Sequence, residues 1–142
     1  RHVVARIGVV LTQNGGALPL QMIPFKFFVG GPVGSGKQGF PWIHLADVVG
    51  ALAFLAESST TQGVYNLTAP SPLTNASFSR ELGKAMHRPC WIPAPAFAFK
   101  LAFGEAATIL LDGQQPLPTR LLQAGYSFQY SQVDVALANI LN

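Results

Sequence analysis

A chain of 142 residues is long enough for one domain with a real core, and 49% hydrophobic against 11% charged residues leaves unusually little surface for water. The net charge is +3, yet the nine Lys and Arg are scattered singly with no basic run interleaved with aromatics, which argues against nucleic acid as a partner. One cysteine, Cys90, excludes an internal disulfide framework and a metal-ligand spacing and fits a reducing, cytoplasmic setting; no apolar run reaches the roughly 20 residues of a membrane span.

His2 to Leu11 reads as a buried strand, almost continuously apolar as in a parallel sheet. Arg6 interrupts it, and a charge buried there needs a partner or a ligand. A turn at Asn14-Gly15-Gly16 follows. Ala17 to Val29 has helical spacing limited by Pro19 and Pro24. Gly30 to Gly36 is a glycine-rich loop without the order of either phosphate-binding motif, so a structural surface loop ranks ahead of a ligand loop. Phe40 to His44 reads as a short strand carrying Trp42 and His44 on one face. Asp47 stands where a carboxylate complements a helix start, and Leu45 to Ser58 is the clearest helix of the chain.

Val64 to Leu67 is the next strand, so strand, helix and strand form a crossover unit with a parallel sheet. Past Ala69 the composition shifts, dividing the chain into a sheet-completing segment, 1–69, and a smaller, mostly helical domain, 70–142. In the second part Asn75 is read as the cap of a helix reaching His87. Arg88 to Pro95 is extended, and two helical segments pivot at Gly104. Thr119 to Ala124 is a short helix stopped by Gly125. Tyr126 to Tyr130 is read as a strand, and Ser131 as the cap of a last helix, Gln132 to Leu141.

Several motifs occur in one order: Arg6-Ile7-Gly8-Val9-Val10-Leu11, Gly15-Gly16-Ala17-Leu18, Gly30-Gly31-Pro32-x-Gly34-Ser35-Gly36-x-Gln38 and Trp42-Ile43-His44-x-x-Asp47. They continue with Gly63-Val64-Tyr65-Asn66-Leu67-x-Ala69-Pro70, Thr74-Asn75, Arg88-Pro89, Gly104-Glu105, Pro118 and Gly125-Tyr126-x-Phe128. The set resembles the C-terminal half of the epimerase-like branch of the extended short-chain dehydrogenase/reductases, across essentially the whole chain.

The resemblance implies an α/β fold: the last strands and crossover helix of a Rossmann-type parallel sheet with a small helical substrate-side domain. It implies NADP or NAD in the full-length protein and a small-molecule, nucleotide-sugar-like substrate. It places Arg6, Gly8 and Val9 near the cofactor and Gln38, Trp42 and His44 near the substrate, because strand ends line the ligand crevice in such sheets.

Two parts of that family are not in this sequence: the glycine-rich dinucleotide loop and the Tyr-x-x-x-Lys pair, since Tyr65, Tyr126 and Tyr130 have no Lys four residues on. No catalytic or metal-binding residue is therefore assigned, and the chain alone is expected to bind no cofactor. Its expected partner is an N-terminal Rossmann half. Without it the apolar edge of His2 to Leu11 is expected to drive self-association.

Blander readings stand beside these. Arg6 equally suits a salt bridge to the absent half, and a His beside a Trp is more often a hydrogen-bonded structural group than a catalyst. Lys37 is read as solvated. Glu105 and Asp112 have no second carboxylate at acid–base spacing, and Phe97, Phe99 and Phe103 read as core. The alternative for the whole chain is a non-enzymatic interaction module built on a remnant of the fold.

Overall fold

The computed structural model describes residues 1–104 and 115–142. The helical segment expected after Gly104, with Glu105 and Asp112, lies outside the described residues. The elements are β1 (Val3–Ile7), β2 (Val9–Leu11), α1 (Ala17–Lys26), β3 (Trp42–His44), α2 (Leu45–Glu57), β4 (Gly63–Leu67), α3 (Asn75–Met86), α4 (Ala96–Phe103), α5 (Thr119–Gln123) and α6 (Val133–Leu141).

The apolar run at the start of the chain is one strand in sequence and two in space. β1 pairs in parallel with β4, Val3 opposite Gly63 through Ile7 opposite Leu67, and β2 pairs in parallel with β3, Val9 opposite Trp42. The chain changes partners at Gly8. Its N–H donates to the Leu67 carbonyl at 3.1 Å, and the next N–H, of Val9, donates to the Pro41 carbonyl at 2.6 Å. Successive residues of a strand aim their backbone groups to opposite sides, so β3 lies across the strand from β4. A Cβ at position 8 would stand 2.4 Å from the Pro41 carbonyl oxygen, and glycine is what permits the convergence.

The strand is also less buried than expected. Val4 is 52% exposed, Ile7 47%, and Arg6 is exposed, so solvent rather than a buried partner carries the Arg6 charge. One face of the β1–β4 sheet is covered by α2 and α5: Ile43, Val48, Ala51, Leu55, Tyr65, Leu67 and Leu121 form a core with Val3 and Ala5 against it. Each such aliphatic side chain contributes about 1.5–3 kcal/mol when fully buried. The opposite face, carrying Val4, Arg6 and Val64, has no such layer over it among the described residues.

A second core joins α1, β2, β3, α3 and α6, through Leu11, Leu18, Phe25, Phe40, Trp42, Phe78, Leu82, Ala136 and Leu137. It combines residues from both sides of Ala69. Phe40 and Phe78 stack at its centre, 4.1 Å between ring centroids.

Several boundaries differ from the sequence reading. α1 carries Pro24 inside it and runs two residues further, to Lys26. Thr74, not Asn75, caps α3: its Oγ1 accepts from the Ser77 N–H at 3.2 Å. Asn75 is buried, and its Oδ1 accepts from the Val33 N–H at 2.7 Å, tying the glycine-rich loop to the helix. α6 begins at Val133 after Gln132, with no side-chain cap from Ser131.

Tyr126 to Tyr130 forms no strand. Its alternating aromatics mimic one, but the N–H groups of Gln129 and Tyr130 donate to the Asp47 carboxylate at 2.8 and 2.9 Å instead of to a ladder.

Candidate functional site

The carboxyl ends of β1 and β4 meet the start of β3. Besides the two bonds at Gly8 and Val9, the Ala69 N–H donates to the Trp42 carbonyl at 2.7 Å. In open parallel sheets ligands bind outside the carboxyl ends of the strands, which makes this convergence the candidate site.

Three of the six residues expected at a site come together here. Gly8 and Val9 contribute backbone at the junction, and Trp42 is the register partner of Val9. The Trp42 side chain is 1% exposed, and its Nε1–H is buried without a hydrogen-bond partner. Arg6 lies two residues upstream, opposite Asn66 on the uncovered sheet face.

His44 and Gln38 are committed to holding structure. His44 Nδ1 accepts from the Ala46 N–H at 2.9 Å, which caps α2, and its Nε2 lies 2.9 Å from Asn139 Oδ1. With Nδ1 accepting, the contact with the Asn139 amide oxygen calls for Nε2 as the donor. The ring stacks on Tyr130 at 3.9 Å and is 8% exposed, so neither nitrogen remains for a substrate. Gln38 Nε2 donates to the Val33 carbonyl at 3.0 Å, and the Gln38 carbonyl accepts from the Asn75 N–H at 2.8 Å. The Ala76 N–H in turn donates to the Gly36 carbonyl at 2.9 Å. The glycine-rich loop therefore occupies the amino end of α3 with its own carbonyls, as a structural loop does.

Asp47 exceeds the helix-start role expected of it. It is wholly buried, and its carboxylate accepts from the Tyr126 hydroxyl at 2.8 Å besides the two N–H groups of Gln129 and Tyr130. The Tyr126 phenol is pushed above its ordinary value of 10.0, first by burial and then by its hydrogen bond to Asp47 and by that residue's charge.

Sequence reasoning also missed Arg120. Its Nη1 donates to the Val64 carbonyl and its Nη2 to the Gln62 carbonyl, both at 2.8 Å, while the guanidinium lies 4.6 Å over the Tyr65 ring. Those carbonyls point away from β1, so Arg120 occupies two acceptors on the outer edge of β4. Nothing in the surrounding sequence marks this role; only the forked geometry of an arginine allows it.

Among the described residues no group of three or more His, Cys, Asp or Glu side chains is placed to hold a metal. What the arrangement offers is backbone and a guanidinium at strand ends, suited to binding and orienting a ligand.

These features define a class, the Rossmann-type α/β proteins, of which the chain supplies the last strands and crossover helix. The chain is the counterpart of the C-terminal half of the epimerase-like short-chain dehydrogenase/reductases. It is 44% identical to mouse epimerase family protein SDR39U1 over 142 residues, covering 99% of this chain and 48% of the relative. A chloroplastic SDR39U1 homolog of Arabidopsis thaliana is 43% identical, with 99% of this chain and 41% of the relative covered. The crystal structure of human SDR39U1 (isoform 2) with NADPH superimposes with a TM-score of 0.91 at 42% identity, over 99% of this chain and 48% of that one. The chain thus spans about half the length of the curated relatives it matches. Residues 94–140 also match a domain of unknown function, DUF1731.

Proposed function

We propose that this chain is the substrate-side, C-terminal half of an NAD(P)-dependent epimerase-like oxidoreductase and performs no redox chemistry by itself. The observation that carries the reading is the one-sided sheet. Arg120 occupies two carbonyls of one edge, while the backbone groups of Val3, Ala5 and Ile7 along the other edge of β1, and the apolar face bearing Val4 and Val64, have no partner layer among the described residues. A strand and its covering helices from an N-terminal half fit both openings. Relatives about twice as long support the same reading.

In the assembled protein the nicotinamide would supply the hydride chemistry, and NADP is the form favoured here because the human relative was crystallised with NADPH. The residues fit such a cofactor in kind. Arg6 presents a solvent-exposed guanidinium, suited to a phosphate or ribose, and Gly8 and Val9 present backbone at the strand ends. On the substrate side, Trp42 and His44 act by holding the wall of the site, and Gln38 by holding its loop. The substrate is a small molecule of the nucleotide-sugar kind.

Among the described residues no helix is long and apolar enough to cross a membrane. A reducing compartment rests on the unpaired Cys90; cytosol is the default, and the Arabidopsis relative is labelled chloroplastic. Titration with NADPH, followed by calorimetry, tests the proposal on this chain and on the polypeptide at natural length. Binding only by the longer form is expected. Stoichiometric binding by this chain alone would overturn it.

A further inference from the structure

Helical spacing gathers cations that the sequence scatters. Arg80 and Lys84 are one turn apart on α3, His87 caps that helix in the left-handed conformation, and Arg88 and Cys90 fold back beside them. With Gly83 these residues line an open surface depression of about 470 Å³, and no acidic side chain takes part in the lining. Gly83 makes the fold-back possible, because a Cβ there would stand 2.9 Å from the Arg88 carbonyl oxygen and 3.3 Å from Cys90 Cβ.

The carbonyls at the end of a helix would ordinarily repel an anion. Here they are already engaged. The Gly83 carbonyl accepts from the Arg88 N–H at 2.9 Å and the Lys84 carbonyl from the His87 N–H at 3.2 Å. Arg88 Nη1 donates to the carbonyls of Met86 and His87 at 3.5 and 3.2 Å. Arg88 lies 4.5 Å over the Phe28 ring, and its Nε–H is buried without a partner. Lys84 is held only by an exposed pair with Glu81 at 3.1 Å, and such pairs are weak enough to exchange.

We propose that this depression is a binding site for a phosphate-bearing small molecule, held by Arg80, Lys84 and Arg88. Three cationic side chains stand against one neighbouring carboxylate, and the Arg88 Nε–H lacks an acceptor. None of the lining residues is among those gathered at Gly8, Val9 and Trp42, so the inference does not rest on the proposed oxidoreductase role.

Cys90 is the only cysteine of these 142 residues and lines the depression, so alkylation read on the Cys90-bearing peptide by mass spectrometry reports occupancy. Inorganic pyrophosphate is the probe, titrated at constant ionic strength into the protein at its natural length while iodoacetamide reacts with Cys90. Saturable protection is expected. The double variant Arg80→Ala/Lys84→Ala alters two exposed side chains and should weaken the apparent affinity by about tenfold or more, as loss of charged hydrogen bonds does. No protection at millimolar pyrophosphate, or equal protection in the double variant, would overturn the proposal. Protection by phosphatidylglycerol vesicles but not by pyrophosphate would overturn it too, assigning the cations to a lipid headgroup.

Discussion

The Asp47 carboxylate holds the segment after α5 against the start of α2, and its partner Tyr126 gives the contact a pH signature. Folding raises the phenol pKa, so the unfolded chain surrenders this proton first as pH rises. The stability contributed is complete below pH 10.0 and is lost progressively above it. Tyr126→Phe keeps the edge contacts to Phe54 and Phe128, with centroids 5.7 and 5.0 Å away, and deletes only the hydroxyl. Urea unfolding should show the variant weakened by about 1 kcal/mol near neutrality. Its alkaline loss of stability should be shallower than that of the wild type. Parallel alkaline curves would show that Tyr126 is not the titrating group.

Among the elements, α2 and β4 were legible from sequence because their determinants are local: an apolar stripe at helical spacing, and a short Val-Tyr-Asn-Leu run after a glycine. The misreadings share a cause. Tyr126, Phe128 and Tyr130 alternate as a strand would, but their segment is organised by a carboxylate about 80 residues earlier. Likewise the run from Val3 to Leu11 gives no sign of where it divides, since the division arises only where Pro41 and Thr68 crowd Gly8. Of the candidate site, the junction at Gly8, Val9 and Trp42 was readable through the ordered motifs. For His44 the sequence already favoured a hydrogen-bonded structural group, but not its partners, because Asn139 and Tyr130 reach it from the far end of the chain. His44→Ala removes the α2 cap and the Asn139 tie together, and should cost about 2 kcal/mol in thermal or urea unfolding. An unchanged midpoint would return His44 to the substrate side.

For the molecule as a whole, we expect its behaviour in solution to be set by the β1–β4 face that no helix covers among the described residues. Val4 at 52% and Val64 at 36% exposure lie side by side on it. We expect this chain alone to self-associate through that face and the adjoining edge of β1, as sedimentation velocity at micromolar concentration would reveal. Val4→Glu places a charge in the buried contact and should weaken association by about tenfold or more. A wild-type chain that sediments as a monomer would remove the expectation.

Arg120 limits how far any such association can go. Its guanidinium already occupies the Gln62 and Val64 carbonyls, so the first part of the outer β4 edge offers no free acceptor to an added strand. Two chains meeting at β1 would form a four-stranded sheet with an arginine across two strand carbonyls at each rim, which disfavours the addition of a third chain. Runaway polymerisation into cross-β fibres, the hazard of apolar strand edges, needs two live edges per subunit. One arginine, 56 residues from the Val64 carbonyl it holds, is thus expected to bias strand pairing in this molecule toward a single step.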